Sequence, residues 1–401
     1  MKKSILSAAA FAAVAVSAVA VAPTTSEAIP SFARQTGAAC LSCHFQTFPA
    51  VNSFGRAFKL GAFTDVGEQA LIEDEALSLP SVLNASFVLR AQYTNTRTTT
   101  GATTVGTTAW GVPADAVLLM AGRVGSNTGA FVEYDAGAAN WQLLNFIDFG
   151  GIKGGLNIQN TGFGPTAAIE ISNVFGQHGG KLNGKQVSSV EQILNKGNVV
   201  SGGQSTSVAA WAGNESFLLQ VGGVALADAT TVTSPSFVPL VRAAYIASLG
   251  DAELMIGGGL ISGTQTATAG AWGANAMFLD LQAQGEMGDM SYGVYADFTT
   301  TKAKTANGVA TNIFSAGNGK ADGNSIRLEV KPTHALMLGV GVGSVKTTPA
   351  AGLSTKRTQT QVAVSYEIYQ NMEINTFYLN DDDKTAGTKT KTLFAEVEAL
   401  F

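Results

Sequence analysis

Cys40-Leu41-Ser42-Cys43-His44 contains both cysteines of the 401-residue chain and one of its three histidines. Two thiols three positions apart, followed at once by an imidazole, is the attachment spacing of a c-type haem. Each thiol can form a thioether with a haem vinyl group, and His44 then falls under the iron as its proximal axial ligand. A disulfide or an idle thiol pair is the alternative in an oxidising compartment, and it leaves His44 without a role. The implied cofactor is one covalent haem c. Residues 49–60 can form a short helix that sets Phe54 and Phe58 four apart on one face, to pack either on the haem or on whatever wall encloses it. Arg34, Arg56 and Lys59 are the cations able to hold haem propionates by charge-assisted hydrogen bonds.

The elements that must position this site differ greatly in size. Residues 1–28 read as a secretory signal: Lys2 and Lys3, an apolar run over residues 5–22, then Ser26-Glu27-Ala28 as the cleavage site before Ile29. Residues 29–80, the haem-bearing segment, are too few to build a core easily unaided, and a porphyrin would supply the missing apolar surface. Residues 81–401 alternate with period two, as in Leu83, Ala85, Phe87, Leu89, Ala91 and Tyr93 against Asn84, Ser86, Arg90 and Gln92. A soluble sandwich alternates too, so connection lengths decide. Short turns near residues 126–129, 214–216, 250–251, 285–289, 332–334 and 370–371 alternate with longer polar stretches at 95–114, 176–206, 302–322, 346–356 and 381–388. That asymmetry predicts an all-β fold, an antiparallel outer-membrane β-barrel of about sixteen strands with the haem segment as a small plug. At its end Leu393, Ala395, Val397, Ala399 and Phe401 should face lipid, with Phe394, Glu396, Glu398 and Leu400 facing the lumen. Beyond the signal no apolar run approaches the ~20 residues of a membrane helix. A net charge of −5 without a basic stripe excludes nucleic acid as a partner.

Residues 176–206 would form the third long connection, either an ordinary outer loop or one folded into the lumen. Val190, Ile193 and Leu194 have helical spacing within it. Between residues 29 and 119 there is no methionine, and no histidine but His44, so a second strong iron ligand would have to come from the barrel. The candidates are His178, flanked by glycines, His334, and Met120, Met255, Met277, Met287, Met290, Met337 and Met372. A weakly held water is a third possibility.

Phe32-Ala33-Arg34-Gln35-Thr36-Gly37, the CLSCH run, Phe45-Gln46, Phe48-Pro49, Asn52, Phe54-Gly55-Arg56 and Phe58-Lys59 resemble the haem segment of the outer-membrane monohaem cytochrome–porin fusions of iron-oxidising bacteria. The resemblance covers residues 30–64 and extends more loosely to the first strand. Ala62-Phe63-Thr64 departs from the Gly-Tyr-Thr of that family. It implies a ferrous iron oxidase of the outer membrane that takes electrons from extracellular Fe(II) to a periplasmic c-type cytochrome or other carrier. Two further readings are a diffusion porin with a haem-bearing plug and an outward electron conduit. Asp381, Asp382 and Asp383 would give an acidic loop tip able to attract iron, and Glu133, Asp135, Asp280, Asp297 and Glu329 an acidic lumen.

Overall fold

The computed structural model describes residues 30–46, 50–75, 77–135, 138–161, 187–195, 205–226, 236–267, 270–306, 309–315, 319–349 and 352–401. The expected signal segment, Phe48-Pro49, and His178 with most of residues 176–206 lie outside them.

Three short helices come first: α1 Pro30–Thr36, α2 Cys40–Cys43 and α3 Ser53–Leu60. A two-stranded ribbon, β1 Leu71–Asp74 with β2 Leu77–Pro80, follows. The wall then runs through β3 Ala85–Thr100, β4 Thr103–Gly125, β5 Thr128–Asp135, β6 Ala138–Asn145 with its continuation β7 Ile147–Asp148, and β8 Lys153–Thr161. It continues with β9 Ser205–Gly213, β10 Phe217–Ala225, β11 Val238–Leu249, β12 Ala252–Ala267, β13 Gly270–Met287 and β14 Met290–Thr301. A small outer hairpin, β15 Lys304–Ala306 and β16 Val309–Thr311, precedes β17 Lys320–Thr333, β18 Leu336–Thr348, β19 Thr355–Tyr369, β20 Met372–Asp383 and β21 Thr388–Leu400. β21 pairs antiparallel with β3, from Thr388 opposite Thr100 to Leu400 opposite Val88, and closes a barrel of sixteen staves.

Burial along the staves is inverted relative to a soluble protein. Gln220, Gln282, Thr299, Gln361, Ser365 and Glu396 are buried, while Val221, Leu279, Ile326, Val340, Val362 and Leu393 are exposed. A period-two chain whose apolar side stays outside and whose polar side points inward is stable only where the outside is hydrocarbon. The final strand follows its expected parity: Leu393, Val397 and Phe401 are exposed, and Phe394, Glu396, Glu398 and Leu400 are buried. Phe401 also exchanges backbone hydrogen bonds with Phe87 (2.6 and 3.0 Å).

Two outer stretches differ from expectation. Residues 95–114 are the arms of a hairpin that turns only at 101–102, not a loop. Their threonines are β-branched, fit a pleated strand, and pair across it, Thr99 with Thr104 (2.9 Å) and Asn95 with Thr108 (2.8 Å). Asp381–Asp383 likewise close β20 instead of forming a loop tip. Arg357 binds Asp381, Lys384 and Lys389 bind Asp382, and Asp383 accepts from the backbone of Thr385 and Ala386.

Part of the third long connection folds inward. Val187, Val190, Ile193 and Leu194, around a turn of π-helix at Glu191–Asn195, are buried against the inner wall. A side chain on Gly343 would meet the Val187 carbonyl at 1.9 Å, so glycine leaves the notch in which this segment lies. Asp297 fixes it, accepting from the Ser189 amide (2.7 Å) and hydroxyl (2.5 Å) while also accepting from Ser325 (2.6 Å). Hydrogen bonds to a charged acceptor contribute about 1.5–3 kcal/mol each. Asp297→Ala is therefore expected to release residues 187–195, read as faster amide exchange at Ser189 and Val190 with β17 protection unchanged; equal exchange would refute the anchor.

Candidate haem-attachment site

CLSCH forms one helical turn that brings Cys40 and Cys43 to the same side, and the His44 amide closes it on the Cys40 carbonyl (2.9 Å). His44 is buried, and its Nδ1 lies 3.1 Å from the Ala50 carbonyl. An Nδ1–H donated to a backbone carbonyl fixes the ring and makes Nε2 the ligating nitrogen, as metal-bound histidines generally require. The motif therefore fits the group its spacing implies.

Asn52 holds the turn from the other side. Its Oδ1 caps α3 by accepting from the Gly55 amide (3.0 Å), its Nδ2 donates to the Ser42 carbonyl (3.0 Å), and its amide donates to the Cys43 carbonyl (3.0 Å). A Cβ on Gly55 would stand 2.1 Å from the Cys43 oxygen, so α3 crosses the attachment turn backbone to backbone. Gln46, Ala62 and Phe63 adopt left-handed φ of 64°, 50° and 58°. Strained non-glycine backbone of this kind costs about 1–3 kcal/mol per residue and gathers at functional sites.

The segment is fastened inside the barrel at its short-turn end, the periplasmic side in barrels of this class. Cys40 Sγ lies 3.7 Å from the Gln370 carbonyl in the β19–β20 turn. Gln46 Nε2 donates to the carbonyls of Ser291 (3.0 Å) and Glu329 (3.4 Å), and Lys331, itself paired with Glu367 (2.9 Å), donates to the Gln46 carbonyl (2.5 Å). Arg56 pairs with Glu253. Burial brings the Arg56 guanidinium down to about 10, so it remains a cation at neutral pH.

The expected haem contacts fall out unequally. α3 docks through Gly55, Arg56 and Leu60, which leaves Phe54 half exposed and Phe58 partly buried. Phe58 joins Phe32 (ring centroids 5.0 Å) and Phe63, with Phe131 of the wall beyond. Arg34 donates to the Ala85 carbonyl (2.6 Å) at the plug's seam with β3. Arg56 is committed to Glu253, and Lys59 is partly buried on α3. Among the candidate sixth ligands, His334 is exposed in the turn at 334–335. Strand parity turns only Met255 and Met337 inward, whereas Met277 and Met287 are exposed. Leu60, Ala62 and Phe63 of the plug share one apolar interior with Val190, Ile193 and Leu194, and with Ile313 and Phe314 of the outer connection after β16.

Burial, with the Asp65 carboxylate adding to it, pushes the Cys43 thiol up. In haem-free folded protein, Cys43 alkylation at pH 7 is expected to be slower than in the unfolded chain and to recover above the ordinary thiol value of 9.0; equal rates at pH 7 would contradict the burial.

No family model and no curated protein matches this sequence. Solved structures do. OmpT of Vibrio cholerae, expressed in the outer membrane, aligns over 83% of this chain and 100% of its own at 12% identity and a TM-score of 0.50. An anion-selective porin from Comamonas acidovorans aligns over 79% and 99% at 9% identity and 0.48, and OccK8 (OprE) of Pseudomonas aeruginosa over 79% and 97% at 8% and 0.43. The chain is a bacterial outer-membrane β-barrel of porin-like architecture.

Proposed function

We propose that this barrel carries one c-type haem on Cys40 and Cys43, with His44 as proximal ligand, and serves as an outer-membrane ferrous iron oxidase. Extracellular Fe(II) gives up one electron and becomes Fe(III), and that electron passes to a periplasmic c-type cytochrome or another carrier. The single observation that supports this reading is the fastening of a haem-attachment turn, with its histidine already oriented, to the inside of the barrel at the periplasmic end. A haem there supplies a one-electron Fe(III)/Fe(II) couple. The chain's own residues do the rest. Cys40 and Cys43 anchor, and the Ala50 carbonyl aims His44. The apolar band of such a barrel is about 25 Å tall, so an electron needs an intermediate station to cross it.

The barrel architecture itself favours a second reading, a diffusion porin with a haem-bearing plug. The apolar filling between the plug and the 187–195 segment weighs against an open channel. Two measurements separate the readings. Purified protein mixed with ferrous iron at the growth pH should show haem reduction by absorbance, slowed in His44→Ala, with little ion conductance in planar bilayers. Porin-like conductance without haem reduction would support the porin instead.

A further inference from the structure

The described residues contain three deeply buried arginines, Arg56, Arg242 and Arg327. Arg56 is paired with Glu253 and Arg242 with Asp280 (2.5 Å). Arg327 is 4% exposed, and its Nε and Nη1 have no hydrogen-bond partner. Its guanidinium lies 5.0 Å from the centre of the Tyr295 ring, which orients the fork without satisfying the donors. Of the neighbouring acids, Asp297 is held by Ser189 and Ser325 and Glu367 by Lys331, while Glu329, two residues along the same face, attracts the guanidinium electrostatically but leaves its Nε and Nη1 without a hydrogen bond. A buried guanidinium with unused N–H groups is costly unless an anion meets it.

Register shows where that anion would lie. Glu253, Gln284, Gly293 and Glu329 stand side by side across β12, β13, β14 and β17, and the plug binds this row through Arg56 and Gln46. Four residues further from the short turns, Gly257, Asp280, Asp297 and Ser325 form another row, where Asp297 holds the inward loop. Between them runs a row of Met255, Gln282, Tyr295 and Arg327. It occupies the single layer, roughly 7 Å from the row on either side, between the attachment segment and the inward loop.

We propose that Arg327 is the barrel's carboxylate-binding residue for the haem, pairing bidentately with a propionate, the geometry for which a guanidinium fork is built. The inference rests on the haem reading above. It moves the propionate anchor from the plug cations Arg34, Arg56 and Lys59 to the wall, and makes the barrel part of the cofactor site.

The test uses full-length protein whose haem is first verified by denaturing gel and peroxidase stain; no stain refutes the haem reading itself, independently of Arg327. In stained protein, Arg327→Gln is expected to shift the ferrous/ferric equilibrium of the haem about tenfold toward ferric, the weight of one unit charge at roughly 10 Å and an effective dielectric of about 20. Arg327→Lys keeps the charge and should shift it much less; it also serves if the glutamine variant loses the heat-modifiable mobility of a folded barrel. An unshifted equilibrium in a folded Arg327→Gln variant overturns the proposal. Exchanging chloride for acetate or phosphate at fixed ionic strength separates the sources of the anion. A wild-type equilibrium indifferent to the exchange supports the propionate, and an anion-dependent one abolished by Arg327→Gln assigns the site to a free solute and overturns it.

Discussion

Gly55→Ala is expected to lift α3 off the CLSCH turn. The new methyl would sit 2.1 Å from the Cys43 carbonyl oxygen and 3.1 Å from the Val51 Cβ, and the first neighbour is backbone that cannot swing aside. Separating the two segments by more than an ångström pulls on the Asn52 hydrogen bonds to Ser42 and Cys43 that help join them. Overpacking of this kind costs about 1–3 kcal/mol. Alanine's better helix propensity returns at most about 1 kcal/mol, less in a helix of eight residues near its cap. The net effect is a loosened turn around His44. Amide exchange at His44 and Asn52 should rise about tenfold for each 1.4 kcal/mol lost, while β19–β21 protection stays as it was. Unchanged exchange at both amides would show that the close crossing is not needed.

Arg56→Met should have the larger effect, because it leaves Glu253 facing the lumen without its cation. Breaking a buried pair from one side costs about 3–5 kcal/mol. Glu253 retains 20% of its side-chain exposure, which places the expected loss near the lower end, about 3 kcal/mol. The loss falls on the seating of the plug more than on the barrel, whose ladders do not involve α3. Limited proteolysis of the folded protein should then cut residues 50–80 at least tenfold faster while the barrel core resists. Arg56→Met combined with Glu253→Leu removes both charges and should recover most of the protection. If the double variant is cut as fast as the single one, the ion pair is not the fastening.

A barrel is legible in a sequence because its rule is local: every second residue from Leu83 onward answers to lipid, and each turn is marked by a few residues between alternating runs. Phe394, Glu396 and Glu398 could therefore be assigned to the lumen from parity alone. The same local rule misread residues 95–114 and Asp381–Asp383 as loops, because threonine-rich and acidic strand ends that rise beyond the membrane are polar on both faces and lose the alternation. The CLSCH turn was equally legible as local structure, since one helical turn is enough to bring Cys40 and Cys43 to the same side.

What surrounds that turn was not legible, because it depends on residues more than 190 positions away. Arg56 was open to a propionate by its charge, and it is the closeness of Glu253 across the lumen that claims it. Phe54 and Phe58 are helix neighbours in sequence, yet the face that docks is chosen by where Gly55 permits contact. Arg327 carried no signal beyond strand parity. Only closure of the sheet sets it among Met255, Gln282 and Tyr295, in the layer between the plug and the inward loop. By itself the sequence determined which residues face lipid, which face the lumen and which short turn carries both cysteines and His44. The closed barrel decided which lumen groups meet, because cross-strand register and the depth of the plug follow from sixteen staves closing together and from no single segment.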